Sequence, residues 1–220
     1  MKTPCKTKKF PAFTLIELLV VIGIIATLTA VAMPALTSSM MTGKIARATS
    51  DARQVGMTLR LFAQDNGGAF PAGQDMNTAN DAFRALFPDY TQVEAVFAES
   101  PSPVGELADN KIEPKSRILE RGENHWAYVA GLNDTSNPLW PLVVDHTDGS
   151  GYYTNVEGAK GGTWRGMKAI VVRCDSSALA LKLSGKGSKR FMPRHDDSQK
   201  NALTVGEYMG KDARLLEPEA

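Results

Sequence analysis

The sequence predicts an α+β chain, with one long N-terminal helix packed on a small, mainly antiparallel β-sheet. Three patterns carry that expectation. An almost wholly apolar run extends from Phe13 to Met33, about the length a helix needs to cross a bilayer. Behind it, Ile45, Ala48, Ala52, Val55, Leu59 and Phe62 alternate spacings of three and four, which lays one apolar face along a helix. From His125 onward, short apolar runs rich in Val, Ile, Leu and aromatics alternate with Gly-, Asn-, Asp- and Ser-rich turns, the mark of strands and hairpins.

Residues 1–12 are basic, with Lys2, Lys6, Lys8 and Lys9 and no acidic residue. Positive charge beside an apolar span stays on the cytoplasmic side, which places the C-terminal bulk outside. The span holds one formal charge, Glu17, near its start. A lone carboxylate in hydrocarbon costs a few kcal/mol on insertion scales, about 3, so it calls for a reason. A secretory signal peptide has a shorter apolar region ending in a small-residue cleavage site, and a plain anchor has no use for Glu17.

The stretch Ala12-Phe13-Thr14-Leu15-Ile16-Glu17, with its basic leader and apolar helix, resembles the N-terminus of type IV pilin-like proteins, the pilins and the pseudopilins of type II secretion. The resemblance covers residues 6–36, and one position departs: Ala12 stands where the family almost always has Gly. It implies a leader at 1–12, cut by a prepilin peptidase between Ala12 and Phe13, and N-methylation of Phe13. It further implies a transmembrane and filament-core helix at 13–36, an amphipathic continuation at 37–66, and a periplasmic α/β head at 67–220 with a variable insert at 69–124. The fold so implied is pilin-like. The implied partners are copies of the chain, other pilin-like subunits, an inner-membrane assembly platform and membrane lipid. In such a filament the Glu17 carboxylate of one subunit pairs with the Phe13 ammonium of a neighbour and fixes axial register, as a buried polar residue does in a coiled coil. The role implied is structural, in type II-like protein secretion. The alternatives are a type IV pilus subunit for adhesion, motility or DNA uptake, and a membrane-anchored domain that never polymerises.

Composition agrees with that role. The formal net charge is +1, and removal of the four leader lysines leaves 21 basic against 24 acidic residues, so nothing favours a nucleic-acid partner. The cluster Lys186, Lys189, Arg190 and Arg194 reads as a solvated loop. Cys5 leaves with the leader and Cys174 remains alone, which precludes an internal disulfide. Cys174 lies in an apolar run and reads as a small buried hydrophobe.

Pro34 closes the apolar run. A proline inside a helix removes a hydrogen bond, so a bend or local melting is expected there. The apolar face of 45–62 is expected to pack on the chain's own sheet, with a two-stranded coiled coil as the alternative. The helix should end at Asn66-Gly67-Gly68, with Pro71 beyond. In 69–124, Asp81–Phe87 reads as a short helix capped by Asn77 or Thr78 and stopped by Pro88. Tyr90–Phe97 reads as a second short helix or an extended segment, and Ser100–Pro103 as a loop. Trp126–Ala130 reads as a strand ended by Gly131, and Leu139–Val144 as a second. Lys168–Cys174 and Ala178–Leu183 form a hairpin about Asp175–Ser177. The chain after Ser184 reads as polar loop to Gln199, with a short amphipathic piece near Tyr208–Leu216.

No catalytic set is evident, and the chain reads as a non-enzyme. His125, His146 and His195 are far apart and lack zinc spacing. No cofactor is expected. Asp145, Asp148 and Asp175 are the candidate ligands for a calcium ion, which some major pseudopilins bind in a C-terminal loop, although no EF-hand spacing is present.

Overall fold

The computed structural model describes residues 14–98, 107–156 and 158–219. The chain divides between Gly43 and Lys44 into two compact units. Helix α1, Leu15–Asp65, runs through that boundary and contains Pro34 without a break in helical assignment, so the chain does not melt there. Thr37 Oγ1 donates back to the carbonyls of Met33 and Pro34 within the next turn. The helix stops where expected. Gly67 and Gly68 take left-handed backbone, and the Gly68 N–H reaches back to the Ala63 carbonyl at 2.7 Å, the six-to-one bond of a Schellman cap.

Within the second unit, Ala48, Ala52, Val55, Gly56, Leu59 and Ala63 of α1 are buried, while Ile45 and Phe62 at the edges of this stripe are half-buried. Gly56 is the close-approach point: an added Cβ would lie 2.5 Å from Val172 Cγ1. Arg60 donates to the Cys174 carbonyl at 3.3 Å. The amphipathic half therefore packs on the chain's own sheet, and its buried face is not free for a coiled-coil partner.

That sheet has five antiparallel strands in the order β4-β3-β2-β1-β7: β1 Trp126–Ala130, β2 Pro141–Asp145, β3 Lys168–Arg173, β4 Ala178–Lys182 and β7 Arg214–Leu216. β5 Ser184–Lys186 and β6 Lys189–Phe191 make a separate ribbon. Every residue of β1 and β2 is buried, so both sheet faces are covered. On one face Tyr128 meets the ring of Phe83 at 5.5 Å and Val172 meets Gly56. On the other, Ala127, Val144, Ala169 and Val171 pack with Tyr153, Leu183, Met192, Ala202 and Leu203.

The β3–β4 hairpin turns through Ser176 in left-handed backbone, with Ser177 N–H on Asp175 Oδ1. β2 starts two residues later than expected because Asn137–Trp140 forms a turn, closed by Trp140 N–H on the Asn137 carbonyl. Helix α2, Ala79–Arg84, is capped by Thr78 with Asp81 in a reciprocal capping box. Tyr90–Phe97 resolves into one 3₁₀ turn at Glu94–Val96 with irregular flanks. Two C-terminal expectations need correction. The stretch after Ser184 contains the β5–β6 ribbon. The piece near 208–216 is no single amphipathic element: a short helix α3, Val205–Tyr208, is followed by β7, which pairs with β1 through Tyr128 and Leu216.

The segment read as an insert belongs to the core. Phe70, Phe83, Leu86, Phe97, Ile118 and Leu119 are almost fully buried. Buried Asn80 donates to the Leu119 carbonyl and accepts from Asn124 and from the Glu219 N–H, tying α2, the segment before β1 and the C-terminus together.

Candidate functional site

The N-terminal end of α1 starts with a residue pattern that fixes its own geometry. Thr14 precedes the first helical residue, and Glu17 is the third residue inside. The Glu17 N–H donates to Thr14 Oγ1 at 3.3 Å, while Thr14 N–H and Oγ1 donate to Glu17 Oε2 at 2.9 and 2.6 Å. This is a capping box: the hydroxyl takes an orphan donor of the first turn, and the carboxylate reaches back over the helix end. The signature Thr-x-x-Glu stands in the sequence at Thr14-Leu-Ile-Glu17, and reading Glu17 only as a charge in an apolar run passed over it. Among the described residues both bonds fall on Oε2, which leaves Oε1 for a further donor. A carboxylate here also complements the positive end of the helix dipole.

From Leu15 to Met40, fourteen large apolar side chains are exposed around the helix, with Leu15 82% and Val31 80% accessible. At about 1.5 kcal/mol per side chain removed from water, the stripe carries on the order of 20 kcal/mol of unused burial. α1 is long and apolar enough, by length and composition, to cross a membrane. A span apolar all round calls for lipid or for other helices. Ala12 and Phe13, the residues of the expected cut and methylation, lie outside the described residues.

The calcium candidates are not brought together as one site. Asp145 ends β2 and is buried, its Oδ2 accepting from Trp164 Nε1 at 3.0 Å and from the Ile170 N–H at 2.5 Å. Asp148 caps its own turn, accepting from Ser150 N–H, Ser150 Oγ and Tyr152 N–H. Asp175 lies in the β3–β4 turn, beyond the end of β3 that pairs with Pro141.

His146 is buried between β2 and the loop that follows. Neither ring nitrogen has a hydrogen-bond partner among the described residues, and burial pushes it down to about 4. Together with Lys160 and Glu217 it lines a small cavity of about 100 Å³, and burial holds the Glu217 carboxyl above its usual range. His195 instead bonds to the Tyr208 hydroxyl on the surface.

The basic cluster does not act as a patch. Lys186 and Lys189 are exposed on the ribbon, whereas Arg194 is buried, bonded to the Asn201 carbonyl and Thr204, and stacked 4.4 Å from the Tyr208 ring centroid. Cys174 is buried, and burial pushes its thiol up to about 12, which agrees with an inert packing role.

Residues 8–33 match the prokaryotic N-terminal methylation motif, the signature of type IV pilin and pseudopilin precursors. Comparison with curated proteins and with solved structures found no match.

Proposed function

We propose that this chain is a pilin-like structural subunit, cut between Ala12 and Phe13 by a prepilin peptidase, N-methylated at Phe13 and assembled into a filament that serves type II-like protein secretion. The observation that carries the reading is the methylation motif at 8–33, set on a helix whose first half exposes apolar side chains on every side. Lipid satisfies that surface before assembly and neighbouring helices satisfy it afterwards, so transfer from membrane to filament exchanges one apolar environment for another. Register must then come from something directional. Glu17 supplies it: Oε1 is free to accept from the Phe13 ammonium of a neighbouring subunit, and two charges in hydrocarbon are tolerated only when paired. Pro34, which removes one helical hydrogen bond, would let the same helix follow a curved packing path. In the membrane, the leader faces the cytoplasm and the head the periplasm.

The lone Cys174, which leaves the mature head without a disulfide, supports the secretion reading over an adhesive pilus. Mass spectrometry of the membrane-extracted protein should find an N-terminal methyl-Phe13, and the Ala12→Gly variant should be processed at least as fast. An intact Met1 terminus in cells with an active prepilin peptidase refutes the proposal. Loss of cargo export, with twitching and DNA uptake intact, on deletion of the gene separates secretion from a pilus role.

A further inference from the structure

Three carboxylates outside the N-terminal site converge where the 3₁₀ turn at Glu94–Val96 meets the segment leading into β1. One oxygen each from Glu94, Asp109 and Glu123 lies within 4.8 Å of the other two. Glu94 is 0% exposed and Glu123 6%. Glu94 Oε1 accepts the Leu119 N–H at 2.7 Å, but Oε2 is buried with no partner among the described residues. Glu123 holds the cluster in place: its two oxygens accept the N–H groups of Asp109 and Glu120 at 3.0 and 2.7 Å. Asp109 sits at the more open corner, with Oδ1 on the Lys111 N–H and Oδ2 on Lys111 Nζ and Arg117.

A buried carboxylate oxygen with nothing to accept from is costly, and two further carboxylates beside it raise the cost. Lys111 and Arg117 answer only the outer corner, at Asp109. A cation between the three groups would answer the inner oxygen.

We infer that Glu94, Asp109 and Glu123 form a binding site for a hard divalent cation of calcium's size, which ties the 3₁₀ turn to the strand-leading segment. Three atoms mutually within 4.8 Å have a common point no more than about 2.8 Å from each, a few tenths of an ångström beyond the 2.3–2.6 Å of calcium–oxygen bonds. Magnesium at about 2.0–2.1 Å, with its demand for octahedral order, requires a larger contraction of groups already held by backbone N–H bonds. Carboxylates suit calcium, and water completes its shell on the Asp109 side. The site is separate from Asp145, Asp148 and Asp175, and it does not depend on the proposed assembly function.

The test uses the full chain in detergent micelles, stripped with EGTA, with unfolding followed by tryptophan fluorescence. For a site half-filled near 10 μM, 1 mM CaCl2 should raise Tm by about 5 °C or more, and 1 mM MgCl2 by clearly less. Glu94→Gln and Glu123→Gln should each abolish the calcium shift. Glu94→Gln should melt in EGTA at or above the wild-type temperature, because it removes a buried charge. Should either buried variant fail to fold, Asp109→Asn at the open corner reads the same loss. A wild-type Tm indifferent to calcium, an equal shift with magnesium, or a calcium shift that survives in Asp109→Asn and Glu94→Gln overturns the inference.

Discussion

The cap formed by Glu17 and the register role proposed for it are confounded by one substitution, and three substitutions separate them. Glu17→Ala deletes both bonds to Thr14, at 2.9 and 2.6 Å, together with the charge. Loss of a capping interaction costs about 1 kcal/mol, within a range of about 0.5–2, and shows as fraying of the first turn. Loss of a buried ion pair by removing one partner costs about 3–5 kcal/mol, because the other charge stays buried and unanswered. At about 1.4 kcal/mol per decade, the two effects are worth roughly fivefold and roughly a hundredfold to four-thousandfold in subunit incorporation.

Glu17→Gln keeps an acceptor oxygen for Thr14 and so keeps the cap, but it cannot pair with an ammonium. If register comes from the pair, Gln and Ala should both lose at least a hundredfold in filament yield, with Ala about fivefold below Gln. Glu17→Asp keeps the charge on a shorter reach and should be intermediate. The assay is sheared-filament yield at matched expression, with cross-linking between cysteines placed near the N-terminus as a second readout. Membrane insertion and leader cleavage should be unchanged throughout. A Gln variant that assembles as well as wild type, beside a weak Ala variant, would show that Glu17 serves as a helix cap alone, and the register argument would fall.

The other predictions concern the head and its thiol. Gly56→Ala should lower stability by about 1 kcal/mol, because a Cβ 2.5 Å from Val172 Cγ1 overpacks by more than the helix-propensity gain returns, whereas Gly43→Ala, with nothing within 4 Å, should be neutral or stabilising; the thermal melts of the two variants check this. His146 titrates at about 4 in the fold against about 6.5 unfolded, so its contribution is complete above pH 6.5 and is lost as pH falls toward 4, up to about 3 kcal/mol; His146→Phe should flatten the acid limb of Tm against pH relative to wild type, and an unchanged slope refutes it. The folded mature protein should show no thiol to an aromatic disulfide reagent at pH 8 and one after guanidinium unfolding.

Much of this architecture is legible from local patterns. The stripe from Ile45 to Phe62, the cap at Gly67-Gly68 and the hairpin about Asp175–Ser177 each rest on neighbours in sequence, and each is present. The misses are non-local. β7 is three residues long, and its pairing with β1 lies almost ninety positions away, so no period in Arg214-Leu-Leu216 announces it. The β5–β6 ribbon has too few apolar residues to show alternation. The cluster of Glu94, Asp109 and Glu123 is assembled by a turn and two loops, and nothing in their spacing resembles a metal motif. The converse holds at Asp145, Asp148 and Asp175, which sequence suggests as one ligand set and the fold places apart. Proximity in sequence made the first two attractive as ligands, but the fold engages one oxygen of each internally, Asp145 Oδ2 with Trp164 and the Ile170 N–H and Asp148 Oδ1 with the turn N–H groups of Ser150 and Tyr152.

The capping box also changes how the N-terminal charge pair should be understood. Thr14 N–H holds the Glu17 carboxylate over the helix end, one residue away from the α-amino group that cleavage would create on Phe13. The carboxylate is therefore ordered before any neighbour arrives, which reduces the side-chain entropy that pairing would otherwise cost, about 1–2 kcal/mol for a glutamate. That order also biases the carboxylate toward its own chain's terminus, so a neighbour's ammonium must compete with an intramolecular one. On the proposed pairing, a neighbour's amine would have to meet Oε1 while Oε2 stays on Thr14, which would restrict the axial offset between helices. Thr14→Val, which removes the hydroxyl but keeps shape and the backbone N–H, isolates this effect. It leaves the charge and frees the carboxylate from one of its two anchors. Assembly should slow several-fold without the collapse expected of Glu17→Gln, and cross-links should spread over more than one offset. A Thr14→Val filament with wild-type yield and a single cross-link register would show that the cap plays no part in choosing the register.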